Sequence, residues 1–261
     1  MKAEIKGIQL GYDVFGQDGI PMVLIHGFGL DRSIWKPMVS GHFGDQRVIL
    51  PDLRGHGESE APEGPYSMCT LAEDIAGLLD HLKIDKAIVC GHSLGGYVAL
   101  AFAEVYPDRL AGLGLITTRA IADTDEGRAG RYSLVEKVAQ GGSVVLAESL
   151  TPRLTKDEAI LKQSFAIIEH TPPNGIIGAA IGMAERPDRT NLLSEITVPA
   201  LVVAGEEDQI IELQECIHMA DLLPMGELLV IPNAGHMPML EAPQVLGKGL
   251  LSLVERAIKF E

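Results

Sequence analysis

Six short runs without a polar residue punctuate the chain, at 21–25, 48–50, 87–90, 113–116, 200–204 and 228–231. Runs this short and this apolar suit strands buried on both faces, the pattern of a parallel sheet covered by helices. The first fifteen residues read differently. Ile8, Leu10, Tyr12 and Val14 share one face at a period of two, which predicts an antiparallel hairpin turning near Gly7. Between the runs the period lengthens. Leu71, Ile75, Leu78, Leu79 and Leu82 recur at helical spacing. Residues 94–106 are rich in Ala and Leu and stop at Pro107, residues 210–223 stop at Pro224, and a last helix is predicted over about 243–259. Strands alternating with helices imply βα units and a doubly wound α/β sheet.

Residues 117–195 break this rhythm. They hold no clear buried strand, but helical patterns at about 125–140, 142–149, 156–170 and 173–185, separated by the breakers Gly141-Gly142 and Thr171-Pro172-Pro173. A stretch of about eighty residues is too long for one crossover. The expected organisation is therefore a core made of 1–116 and 196–261 with a helical cap, 117–195, inserted between two of its strands. Within the insertion, Arg119 and Asp123 stand four apart in a predicted helix and are expected to pair.

The chain has 261 residues and a formal net charge of −15, which disfavours nucleic acid and anionic lipid as partners. Its three cysteines, Cys69, Cys90 and Cys216, have neither disulfide-framework nor metal-ligand spacing. The N-terminus lacks an apolar signal region, and no stretch is apolar enough to span a membrane, so the expected location is cytoplasmic.

The chemistry concentrates at three places. Gly91-His92-Ser93-Leu94-Gly95 follows one apolar run directly and opens a predicted helix. A G-x-S-x-G turn in that setting presents the serine hydroxyl at the positive end of a helix, as a nucleophile requires. Serine is a weak nucleophile without an adjacent base. His236, on the glycine-bearing loop between the last apolar run and the final helix, is the best placed histidine; the others lack a partner motif. The supporting acid is sought after the run at 200–204, where Glu206, Glu207 and Asp208 are all available. His26-Gly27-Phe28-Gly29 follows the run at 21–25, and there the backbone N–H groups of Phe28 and Leu94 can converge on a developing oxyanion, with His26 bracing the loop.

Together these segments resemble the α/β-hydrolase superfamily. Asp52-Leu-Arg-Gly-His-Gly-Glu-Ser59 is similar to the family's D-x-R-G-H-G-x-S loop, Tyr106-Pro-Asp-Arg109 to the turn closing the helix behind the nucleophile, and Asn233-Ala-Gly-His236 with Glu241-Ala-Pro243 to its histidine loop. The resemblance implies an eight-stranded, mostly parallel sheet flanked by helices, with a cap after the sixth strand. It also implies Ser93, Asp208 and His236 as a catalytic set that needs no metal or organic cofactor. Around the nucleophile the residues resemble carboxylesterases and 3-oxoadipate enol-lactonases. Serine rather than aspartate disfavours the dehalogenase and epoxide hydrolase branches. Leu94 instead of methionine lowers the cofactor-free perhydrolase or haloperoxidase and carbon–carbon bond hydrolase readings.

The expected substrate is a small to medium ester or lactone. Leu30, Trp35, Met183 and Met237, with Phe28 and Leu94, are the expected apolar pocket wall. A non-enzymatic small-molecule receptor on the same fold is the alternative from another class, and Ser93-dependent turnover separates the two.

Overall fold

Lys6 and Gly7 both take positive φ, 50° and 81°. This is the backbone of a tight two-residue turn whose twist matches the strands it joins. It connects β1 (Lys2–Ile5) to β2 (Ile8–Phe15) in a computed structural model that describes residues 1–260. The remaining strands are β3 (Asp18–Ile25), β4 (Gln46–Pro51), β5 (Ala87–His92), β6 (Leu110–Ile116), β7 (Ala200–Gly205) and β8 (Gly226–Ile231). They form one eight-stranded sheet in the order β1-β2-β4-β3-β5-β6-β7-β8. Pairing is antiparallel at β1–β2 and β2–β4 and parallel from there to β8.

The helices are α1 (Lys36–His42), α2 (Met68–His81), α3 (Leu94–Val105), α4 (Asp125–Gly141), α5 (Val144–Leu150), α6 (Glu158–His170), α7 (Pro173–Ala184), α8 (Leu213–Leu222), α9 (Pro238–Glu241) and α10 (Pro243–Phe260). Strand order and handedness decide where they lie. After β3 the chain crosses to β4 on one side, and after β5 it crosses to β6 on the other. Right-handed crossovers in opposite directions put their helices on opposite faces. Accordingly α1 packs with α10, while α2 packs with α3. Strands β5, β6 and β7 are buried at every position. The run at 228–231 behaves otherwise: β8 is a sheet edge, and Leu228 is 37% exposed. An apolar run marks a strand but not its distance from the edge.

Helices α4 to α7 form the helical insert after β6, close to the four predicted spans. Thr124 and Asp157 cap α4 and α6 by accepting backbone N–H bonds. Helix α7 lies directly on the 55–66 loop of the core. A Cβ on Gly175 would stand 1.7 Å from the Gly55 carbonyl oxygen, and one on Gly182 would stand 1.7 Å from that of Tyr66. Tyr66 N–H donates to Gly178 O at 2.9 Å. The glycines of α7 therefore allow backbone-to-backbone docking of this part of the insert. Among the described residues, no helix is long and apolar enough to cross a membrane.

Candidate active site

The point where the crossovers diverge, between β3 and β5, leaves a crevice at the carboxyl ends of two hydrogen-bonded neighbours. Open α/β sheets bind ligands there. Ile25 pairs with Gly91 across that boundary, so the 26–29 loop and Ser93 leave the sheet side by side. Ser93 has φ 52° and ψ −113°, a conformation that is costly for a residue with a Cβ. The turn holds because its neighbours lack side chains. A Cβ on Gly91 would lie 1.9 Å from Gly95 O, and one on Gly95 would lie 2.4 Å from Ile25 O. Gly91→Ala is expected to cost roughly 3 kcal/mol or more, since the obstruction is backbone and cannot rotate away; urea denaturation measures it.

His236 follows β8, and its Nδ1–H donates to Asp208 Oδ2 at 2.8 Å, with both side chains buried. The other oxygen, Oδ1, accepts N–H bonds from Ile210 at 2.8 Å and Ile211 at 3.1 Å. These bonds fix the carboxylate's orientation. The neighbouring carboxylates point elsewhere. Glu206 accepts from Asn233 N–H at 3.2 Å, and Glu207 pairs with Lys156 at 2.6 Å. Only Asp208 meets the imidazole, because the turn after β7 brings the third residue past Gly205 beneath the histidine loop.

The backbone carbonyl of His236 is held from below. His92 Nε2–H donates to it at 2.8 Å and the Thr117 hydroxyl at 3.2 Å. His92 is buried, and burial, with His236 adjacent, keeps its pKa well below the ordinary value. Two further neutral histidines brace the 26–29 loop. His26 Nε2 accepts Leu53 N–H at 3.0 Å, and His56 Nε2 accepts Gly29 N–H at 3.2 Å. Burial lowers them to about 4 and about 3, respectively. Among the described residues the N–H groups of Phe28 and Leu94 meet no protein acceptor. That leaves both donors free for a ligand oxygen.

Ser93 and His236 open on a common cavity of about 150 Å³, lined also by Phe28, Leu30, His92, Tyr97, Arg131, Leu150, Arg153, Leu154, Met183 and Ile210. Of the expected apolar wall, Phe28, Leu30 and Met183 are there. Trp35, Met237 and Leu94 are not. All three are fully buried. Trp35 stands edge-on to His92, with ring centroids 6.4 Å apart, so it supports the floor from within the core. Apolarity near a catalytic motif does not separate a wall residue from the layer beneath it.

The Arg119–Asp123 pair is also corrected. Residues 119–123 are loop, not helix. Arg119 donates to Ile210 O at 2.6 Å and pairs with Glu215 at 3.3 Å. Asp123 pairs with Arg131 and Arg186.

Residues 20–243 match the α/β hydrolase fold family. The chain belongs to the α/β hydrolase fold family. A thermophilic esterase from Thermogutta terrifontis is similar at 38% identity and a TM-score of 0.94, with 98% of each chain covered. A dihydrolipoyllysine-residue acetyltransferase component of the acetoin cleaving system from Pseudomonas putida is 32% identical over 98% of this chain and 69% of its own. 3-Oxoadipate enol-lactonase 2 from Acinetobacter baylyi is 28% identical over 95% of this chain and 94% of its own.

In this α/β hydrolase, Glu241 has a role that the motif alone does not explain. Its carboxylate accepts N–H bonds from Gly235 and Met237, each at 3.0 Å, on either side of His236. It also accepts the Thr155 hydroxyl of the insert at 2.5 Å. The His236 N–H itself donates to Leu154 O at 2.8 Å. The histidine loop is thus clamped between α9 and the insert. Glu241→Ala is expected to cost about 2–3 kcal/mol of stability, since charged acceptors are lost to buried amides. If His236 serves as a base toward esters, kcat should fall more than KM rises; thermal melts and ester kinetics measure both.

Proposed function

We propose that this chain is a serine hydrolase of small to medium carboxylic esters or lactones, with Ser93 as nucleophile, His236 as base and Asp208 as supporting acid. The observation that carries the proposal is the shared cavity. A serine held at positive φ opens on the same space as a histidine whose far nitrogen is bound by a buried carboxylate. Ser93 Oγ attacks the substrate carbonyl while His236 Nε2 takes its proton. The oxyanion rests on the N–H groups of Phe28 and Leu94. The imidazolium, stabilised by Asp208, then protonates the departing alcohol or ring oxygen. Water attacks the acyl-enzyme by the same route and releases the acid.

In this reading residues 117–195 act as a cap over a core of 1–116 and 196–261. Leu150, Leu154 and Met183 of the cap line the apolar side of the cavity. The enol-lactonase relatives favour a lactone as a specific second reading.

A panel of p-nitrophenyl esters and small lactones, run on wild type and Ser93→Ala, tests the proposal. Ser93-dependent turnover of at least one class is expected. No Ser93-dependent turnover across the panel would overturn the hydrolase assignment in favour of a binding protein.

A further inference from the structure

We propose that the cavity over Ser93 selects esters or lactones carrying a carboxylate a few carbons from the reacting carbonyl, with Arg153 as the main cation receiving it. The inference rests on the hydrolase reading above and adds the class of substrate. Asp and Glu outnumber Lys and Arg by 36 to 21 in this chain. Its catalytic cavity reverses that balance. Apart from the two histidines, the charged residues lining it are Arg131 and Arg153. A groove of about 400 Å³ along α4 and α5 continues from it, sharing Phe28, Arg131, Leu150 and Arg153 and adding Lys137. Neither space is lined by an aspartate or glutamate.

Neither cation meets a carboxylate within the cavity itself. Arg131 faces Asp123, but that carboxylate also pairs with Arg186 at 2.8 Å. One anion between two guanidinium groups leaves a positive charge beside the cavity. Arg153 makes no ion pair among the described residues; its Nη2 donates to the Gln209 carbonyl at 3.3 Å. On its outer side Arg153 borders a cleft containing Asp157, Glu207 and Glu241. Of these only Glu207 has a counter-ion among the described residues, Lys156; Asp157 accepts the first N–H groups of α6 and Glu241 those of the histidine loop, and all three line the outer cleft rather than the cavity over Ser93.

The position of Arg153 is set by the catalytic loops. Its bond to Gln209 reaches the residue after Asp208, and the next residue, Leu154, accepts the His236 N–H. Arg153 is exposed at the edge of the cavity that Phe28, Leu150 and Leu154 also line, where its remaining N–H groups can meet a carboxylate.

The test compares p-nitrophenyl hemiglutarate with p-nitrophenyl valerate, which match in chain length and differ in the terminal carboxylate. In low salt, kcat/KM is expected to favour the hemiglutarate by about tenfold or more, the range of one charged hydrogen-bonded contact. Concentrated salt should compress that ratio. Arg153→Gln should abolish the preference and Arg153→Glu should invert it. Lys248→Gln, on α10 and outside both spaces, should retain it. Equal kcat/KM for the two esters, or a preference indifferent to Arg153, would overturn the proposal.

A binding arm separates this outcome from failure of the hydrolase reading. Calorimetry on Ser93→Ala should show monomethyl glutarate binding about tenfold or more tightly than methyl valerate, and Arg153→Gln in that background should erase the difference. Should wild type turn over neither ester, the ester-and-lactone panel decides the hydrolase reading, and the binding arm alone decides the carboxylate preference. Equal binding of the two ligands would overturn it.

Discussion

Asp208→Asn is expected to lower kcat on a p-nitrophenyl ester by about four orders of magnitude while the protein stays folded. The replacement is isosteric, and the amide oxygen can still accept the Ile210 and Ile211 N–H groups that Oδ1 accepts now. Its NH2 would then face His236 Nδ1, which would have to accept a hydrogen bond instead of donating one. The ring proton would move to Nε2, the atom that in the proposed mechanism receives the proton from Ser93. Ser93→Ala is expected to cost about six orders of magnitude, and adding Asp208→Asn to it should cost little more, because the set acts as a unit. Glu206→Gln and Glu207→Gln should stay within about threefold of wild type, as exposed substitutions away from the imidazole do. A loss at Glu207→Gln equal to that at Asp208→Asn would remove Asp208 from its role. Circular dichroism and steady-state kinetics on these five variants suffice.

Acid is expected to unfold the protein earlier than its carboxylates alone would require, through His26 and His56. Both rings are fully committed. His26 Nδ1–H donates to Gly27 O at 2.8 Å and His56 Nδ1–H to Arg54 O at 3.0 Å, while each Nε2 accepts a backbone N–H. A second proton on either ring would point at another N–H. Burial reinforces this, lowering His26 to about 4 and His56 to about 3 from the ordinary 6.5. Between about 6.5 and those values the unfolded chain binds more protons than the folded one, so stability falls as the pH falls. The loss begins below the unfolded value and is complete once the pH is below the folded one. At about 1.4 kcal/mol per pH unit, each ring contributes on the order of 3 kcal/mol across that window. Urea midpoints from pH 7.5 to 4.5 should therefore drop steeply. In His26→Gln/His56→Gln the slope should be shallower, even if stability at pH 7.5 is lower. An unchanged slope would show that other groups carry the acid response. Because both rings hold the loop bearing Phe28, activity should fail together with this transition.

Much of the fold was legible because its signals are local. A run such as 200–204 needs only its own residues to show burial on both faces, and Gly91-His92-Ser93-Leu94-Gly95 carries strand, turn and helix start within one short segment. The helical insert was readable from its breakers. Less was legible where a residue's role depends on what lies across the fold. Leu228 has the composition of a central strand and the position of an edge. Trp35 and Leu30 are both apolar and close to the oxyanion loop, yet one supports the core beneath His92 and the other lines the cavity. Arg131, Arg153, Tyr97 and Ile210 reach the cavity from four separate segments, with no shared motif to announce them.

The residues alone determined the alternation of strand and helix, the helical insert, and the candidacy of Ser93 and His236, since each follows from local period and turn chemistry. They offered three adjacent carboxylates for the acid, among which the offset beyond Gly205 and the family resemblance point to Asp208. Tertiary structure shows which of the three meets the imidazole, because a hydrogen bond at 2.8 Å between residues 28 apart depends on how two loops approach each other. It also decided that Glu241 clamps the histidine loop and that a cation-lined mouth sits within an acidic chain. Contacts and fields of this kind arise only when distant segments are brought together, and no pattern along the chain encodes their distances.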